Sequence, residues 1–292
     1  MSSWWAALHG YRHPVLDAAA HAQLESTSQV MFSGLTHAPA VGLVQRLLAI
    51  TPEPLRHVFL CDSGSVSVEV PMKMALQHAI GRGEPLRRLV RGGHHGDTFG
   101  AMSACDPVSG MHSLFNGVLP EQVFAPRPPA GFDAGPGPEL DAWSLETTRL
   151  FEQHAAELAA VIVEPVLQGG AGGMHVYSPE CLRVPRALCD EHGVLLVFDE
   201  IAGAPDPDGA AAGASPAAEL SRVADVRGLG AVGVVQTRGP VDPARAMEAA
   251  LATTVWLRPF RDLVYTTPPY VSTDDDDETI TRGVLAAVTA GA

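Results

Sequence analysis

The sequence predicts an α/β fold: a mainly parallel sheet covered by helices, with a small α+β unit at the C-terminal end. Three observations carry this. Short, continuous apolar runs alternate with helical segments, the pattern of strands buried on both faces. Polar residues gather just past the ends of those runs, where open parallel sheets bind ligands. The pattern then changes across residues 203–218 (GAPDPDGAAAGASPAA), a stretch without periodicity that reads as a flexible surface connection. The expected division is a large domain over 1–202, a connection over 203–224 and a small domain over 225–292.

Each element follows from its residues. Residues 57–61 (HVFLC) read as a strand, and Asp62-Ser63-Gly64-Ser65 as the N-cap of the helix behind it. That helix runs to about Ile80, with Pro71 inside it as a kink, because an interior proline removes a hydrogen bond. Residues 88–91 (RLVR) are a second strand, closed by GGHHGD, and 122–125 a weak third. Residues 152–159 continue a helix into a buried strand, 160–163, that ends at Glu164-Pro165. Residues 179–192 are a helix, and 194–198 (VLLVF) are another buried strand ending at Asp199-Glu200. Beyond the connection, 225–237, 254–258 and 265–271 read as strands. Thr273 then opens a final helix whose acidic first turn suits the helix dipole.

Composition removes several functions. Of 292 residues, 46% are hydrophobic and 18% charged, which excludes a disordered chain. The formal net charge of −14 argues against nucleic acid and anionic membrane surfaces as partners. Cys61, Cys105, Cys181 and Cys189 form no C-x-x-C pair and read as reduced thiols of a cytoplasmic protein. No apolar run reaches membrane-spanning length, and the N-terminus lacks the layout of a signal peptide. Among 19 basic residues there is one lysine, Lys73, so chemistry that needs a lysine amine has a single candidate.

Several blocks carry a family likeness: SSWWAALHGYRHP (2–14), MFSGLTHAPA (31–40), CDSGSVSVEV (61–70), RGGHHGDTFGAMSACDP (91–107), VIVEPVLQGGAGG (161–173), LLVFDEIA (195–202) and VWLRPFRDLVYTTPPY (255–270). Through them the chain resembles the class III, fold type I, pyridoxal-phosphate aminotransferases, nearest to their biotin-pathway branch. The likeness implies a reduced fold type I architecture and a homodimer with its cleft between subunits. It also implies roles. Ser63, Gly64 and Ser65 would hold an anion, the cofactor phosphate in the family; a helix N-terminus suits this, and an ordinary cap is the plain alternative. His94 stands where the family usually has a tyrosine that stacks on the cofactor ring. Asp199 matches the aspartate paired with the ring nitrogen. Arg258 matches the clamp on a substrate carboxylate, for which a planar guanidinium is suited. Trp4 and Trp5 match the aromatic pair of the substrate channel. Glu164 reads as structural, and the HHGD turn as no metal site, since adjacent turn residues do not converge on one ion.

One departure shapes the functional reading. After Ile201-Ala202 the family continues through a long block that bears the Schiff-base lysine, and here the short connection stands in its place. Lys73 matches a different lysine, in the helix after DSGS, so no covalent link to pyridoxal phosphate is expected. Three functions remain open: a cofactor-independent acid–base enzyme (lyase, isomerase, cyclase or hydrolase) on a carboxylated small molecule, with Asp199 and His94 as the catalytic pair; a non-catalytic relative that binds a ligand or a full-length partner; and a protein that holds pyridoxal or pyridoxamine phosphate noncovalently. In the family the missing block also supplies two strands between VLLVF and HVFLC. Those two runs are therefore expected to pair directly, closing a five-stranded sheet.

Overall fold

The computed structural model describes residues 5–83, 88–91, 93–106, 113–115, 117–203 and 214–291. The chain divides into two compact units, His9–Asp62 and Met1–Leu8 with Ser63–Ala292.

The first unit holds two helices, α1 (Pro14–Ser26) and α2 (Ala38–Ile50). Each has proline in its first turn, where a missing N–H removes no intrahelical bond. α1 buries none of its residues and α2 only Ala40, while Val15, Leu16, Leu24, Leu43 and Ile50 are exposed. The expected strand at 57–61 does not form, and Phe59 is 70% exposed. An apolar run becomes a strand only beside a partner that takes up its backbone groups, and these residues have no ladder.

The second unit is built on a parallel sheet. α3 (Gly64–Gly81) is continuous through Pro71 and leads to β1 (Arg88–Arg91), α4 (Phe99–Ser103) and β2 (Val123–Phe124). Then come α5 (Pro138–His154), β3 (Leu158–Val163), the short strands β4 (Leu167–Gln168) and β5 (His175–Val176), α6 (Arg183–His192) and β6 (Leu195–Phe198). The sheet order is β2-β1-β3-β6, all parallel. β3 is the central strand. Helices α3 and α4 cover one face, where Val68, Ala101 and Ala104 meet Ile162. Helices α5 and α6 cover the other, where Phe151, Leu188 and Cys189 meet Leu158 and Val161.

Two expectations are corrected here. The helix before β3 starts at Pro138 and ends at His154, so the strand starts at Leu158. Among the described residues the sheet has four strands, not five, and residues 57–61 are not one of them. β6 pairs with β3 alone among the described residues, and its Leu195 and Phe198 are 39% and 43% exposed instead of buried.

The remainder is β7 (Val223–Leu229), β8 (Val232–Thr237), α7 (Pro243–Ala252), β9 (Leu263–Thr266) and α8 (Asp274–Ala290). β7, β8 and β9 form an antiparallel meander. Residues 254–258 are not a strand; Thr254 has φ +67°, a left-handed conformation that breaks an extended run. Residues 204–213 of the expected connection lie outside the described residues. Its end is ordered, with Ala214 and Ala217 buried in the core that α7 and α8 form with β8 and β9. Another cluster joins Leu167, Met174 and Val176 to Val232, Val234 and Tyr265, so residues on both sides of the expected domain boundary share one core. Among the described residues no helix is long and apolar enough to cross a membrane.

Candidate active site

The sheet opens a cavity of about 390 Å³ at the carboxyl ends of β1, β3 and β6. It is bounded by the α3 N-terminus, by His94 and His95 after β1, by Glu164 after β3 and by Asp199 after β6. Trp5, Arg258 and Tyr265 also line it.

The α3 end is set by Ser63, the N-cap, whose hydroxyl accepts from the Val66 N–H at 3.3 Å. The first N–H groups of a helix have no intrahelical partner, and the dipole adds positive potential there. Ser65 Oγ accepts from the Asp97 N–H at 3.0 Å, tying the α3 end to the HHGD turn. That approach needs glycine at position 96. Its φ is +127°, and a Cβ there would sit 2.9 Å from Ser65 Cα.

Glu164 fastens the loops to one another. One carboxyl oxygen accepts from the His94 N–H at 2.8 Å and the other from the Gly169 N–H at 3.1 Å. The Glu164 side chain is fully enclosed, and burial holds its carboxyl well above the usual carboxylate range, outweighing the two N–H donors that pull it down. Asp199 adds a smaller upward push. Gly93, at φ +123°, gives the carboxyl its room, because a Cβ there would overlap Glu164.

Asp199 is held by β6 and by a histidine. Its N–H donates to the Val163 carbonyl at 2.8 Å, and one carboxyl oxygen accepts from the Ile201 N–H at 3.3 Å. The other oxygen lies 2.8 Å from His95 Nδ1, with both side chains almost wholly buried. His95 is anchored in turn by its own N–H, 3.1 Å from Cys105 Sγ. A buried carboxylate in contact with an imidazole fixes the ring's tautomer and can hold or pass a proton.

Trp5, Ser63, Gly64, Ser65, His94, Asp199 and Arg258 thus line one cavity, and Trp4 lies outside the described residues. Asp199 and His94, expected as the catalytic pair, line the same cavity, and the imidazole in contact with the Asp199 carboxylate is that of His95. His94 instead faces Gly170, with Nδ1 3.8 Å from Cys105 Sγ and Nε2 3.9 Å from an Asp97 oxygen. Sequence reading missed His95 because neighbouring turn residues look alike, and the turn that carries them runs between two positive-φ glycines, 93 and 96. Lys73 is exposed on α3 and is not among the residues that line the cavity.

The family pattern described as Aminotransferase class-III matches residues 1–204. The chain belongs to the class III aminotransferase family. The adenosylmethionine-8-amino-7-oxononanoate aminotransferase of Mycobacterium leprae (strain TN) is 39% identical to this class III chain over 375 residues, covering 98% of this chain and 84% of that one. The protein of the same name from Saccharomyces cerevisiae is 44% identical over 214 residues, 69% of this chain and 44% of that one. Among solved structures, the adenosylmethionine-8-amino-7-oxononanoate aminotransferase of Methanocaldococcus jannaschii superposes with a TM-score of 0.82 at 19% identity, covering 97% of this chain and 86% of that one. The fold is that of the fold type I aminotransferases.

The alignment also shows by how much this class III chain is the shorter of the two. Since 98% of 292 residues is about 286, about 89 of the 375 positions aligned to the M. leprae protein lie opposite gaps in this chain. The family match stops at residue 204, six residues beyond the end of β6.

Proposed function

We propose that the cavity holds pyridoxal phosphate or pyridoxamine phosphate noncovalently, beside a carboxylated amino or oxo substrate of the kind named in adenosylmethionine-8-amino-7-oxononanoate aminotransferase. The observation that supports this is the donor set gathered in one cavity: a helix N-terminus for a phosphate, a buried carboxylate for a ring nitrogen, an arginine for a substrate carboxylate, and no lysine. The residues fit a bound cofactor and do not fit a covalent one. When bound, the pyridine ring supplies an electron sink and the site of the exchangeable amino group. The chain does the rest. The α3 N-terminus would hold the anion and His94 the cofactor ring, His95 orients Asp199, and Arg258 with Trp5 would position the substrate.

Alone, the chain is expected to bind and not to turn over. Pyridoxal phosphate followed by borohydride should leave no pyridoxyl group on Lys73 in a peptide map; an adduct there overturns the proposal. The exposed apolar residues of α1 and α2 support a homodimer, and four free cysteines support a cytoplasmic setting.

A second reading rests on the His95–Asp199 pair. Beside the Glu164 carboxyl, whose pKa burial raises, this pair is placed for cofactor-independent acid–base chemistry on a carboxylate held by Arg258. Turnover of a carboxylated substrate without cofactor, lost in Asp199→Asn, would select this reading.

A further inference from the structure

The most unusual surface of the second unit is the outer side of β6. A strand buried in a parallel sheet has a neighbour on each side and a helix layer on each face. β6 has one neighbour, β3, among the described residues. Its faces are half covered. Leu196 packs partly against the cluster of Phe151 and Leu188, and Val197 partly against Ala75 and Ile162 on the opposite face. Leu195 and Phe198, one on each face, stay 39% and 43% exposed. An open edge with apolar side chains on both faces is a template for further pairing, and soluble proteins avoid leaving one bare.

The size of the length difference and the end of the family match bear on what belongs there. Relatives carry about 89 more positions, and the family match ends at residue 204, just past this strand. Ile201 and Ala202, between β6 and that point, line the cavity. The strand edge, the end of the family match and the cavity border therefore coincide in the chain.

We propose that the outer edge of β6 docks a separate polypeptide of about 90 residues, equivalent to the block its relatives carry after this strand, which adds a strand to β6, covers its two faces and borders the cavity. A second copy of this chain fits less well. Pairing two β6 edges would satisfy the backbone but bring no cover for Leu195 and Phe198. The proposal does not depend on what the cavity binds.

The test is co-expression of the full chain with the M. leprae segment that aligns opposite the gap, without added cofactor. The expected result is a one-to-one complex on purification. Hydrogen exchange at the β6 amides facing away from β3 should then slow at least about tenfold relative to the chain alone, as paired amides are protected. Leu195→Asp should lose the complex, since docking would bury an unpaired charge. Leu145→Asp, at an exposed leucine of α5, should keep it. Should Leu195→Asp fail to fold, the exchange comparison on the unaltered chain decides alone. A chain that purifies without the segment overturns the proposal. So does β6 already protected in the chain alone by self-association.

Discussion

Glu164 shows how a few atoms hold the candidate site together. Its carboxyl bridges the His94 and Gly169 amides in a fully enclosed position, and burial pushes its pKa above the ordinary carboxylate range. The linkage has a definite sign. A group whose folded pKa is raised adds its stability fully below the unfolded pKa and loses it as pH rises through the folded value. Stability should therefore fall as pH rises past the ordinary glutamate range. Glu164→Gln should be less stable at low pH by about 1–3 kcal/mol, because its NH₂ faces an N–H donor. The gap between the two proteins should narrow as pH rises, measured by urea unfolding over a pH series; a constant gap would contradict the assignment. Much of this site was legible in the sequence. Ser63-Gly64-Ser65, Asp199 and Arg258 lie in motifs whose chemistry is local to their own residues. His95 was not, because its contact with Asp199 is made across 104 residues of sequence, from a turn bounded by positive-φ glycines that no side-chain pattern announces.

Strands and helices divide in the same way. α8 begins where Thr273 and its acidic turn say it should: Thr273 Oγ1 accepts from the Asp276 N–H, and an Asp276 oxygen accepts from the Thr273 N–H. Thr273→Ala should cost about 1 kcal/mol in thermal or urea unfolding; no change would mean that the cap is idle. α7 also has its signal, Asp242 followed by Pro243, with Asp242 accepting from the Ala244 and Arg245 amides. Its alanine-rich body hid the periodicity that marks a helix. β6 failed in the opposite direction. A continuous apolar run reads as buried on both faces, but burial depends on neighbours encoded elsewhere, and among the described residues β6 has a neighbour on one side only. The run at 57–61 went the same way, apolar enough for a strand and without a ladder to join.

Taken whole, the chain has more apolar surface than it covers. In the unit His9–Asp62 only Ala40 of its two helices is buried, and thirteen large hydrophobic residues there stay exposed, far more than scattered surface leucines account for. Sedimentation at micromolar concentration should show a dimer, and a monomer would contradict the expected subunit arrangement. The second unit should unfold in one transition, because residues on both sides of 203–224 share a core; two separated transitions would restore an independent C-terminal domain. The family and its fold were readable from the motifs alone, as the match over residues 1–204 shows. The central claim concerns the cavity, and calorimetric titration with pyridoxamine phosphate tests it most directly, since this ligand has no aldehyde with which to label amines. The account predicts saturable one-to-one binding to the unaltered chain, weakened at least about tenfold by Asp199→Asn through loss of a charged hydrogen bond. No saturable heat in the unaltered chain, or equal affinity in both proteins, would contradict it.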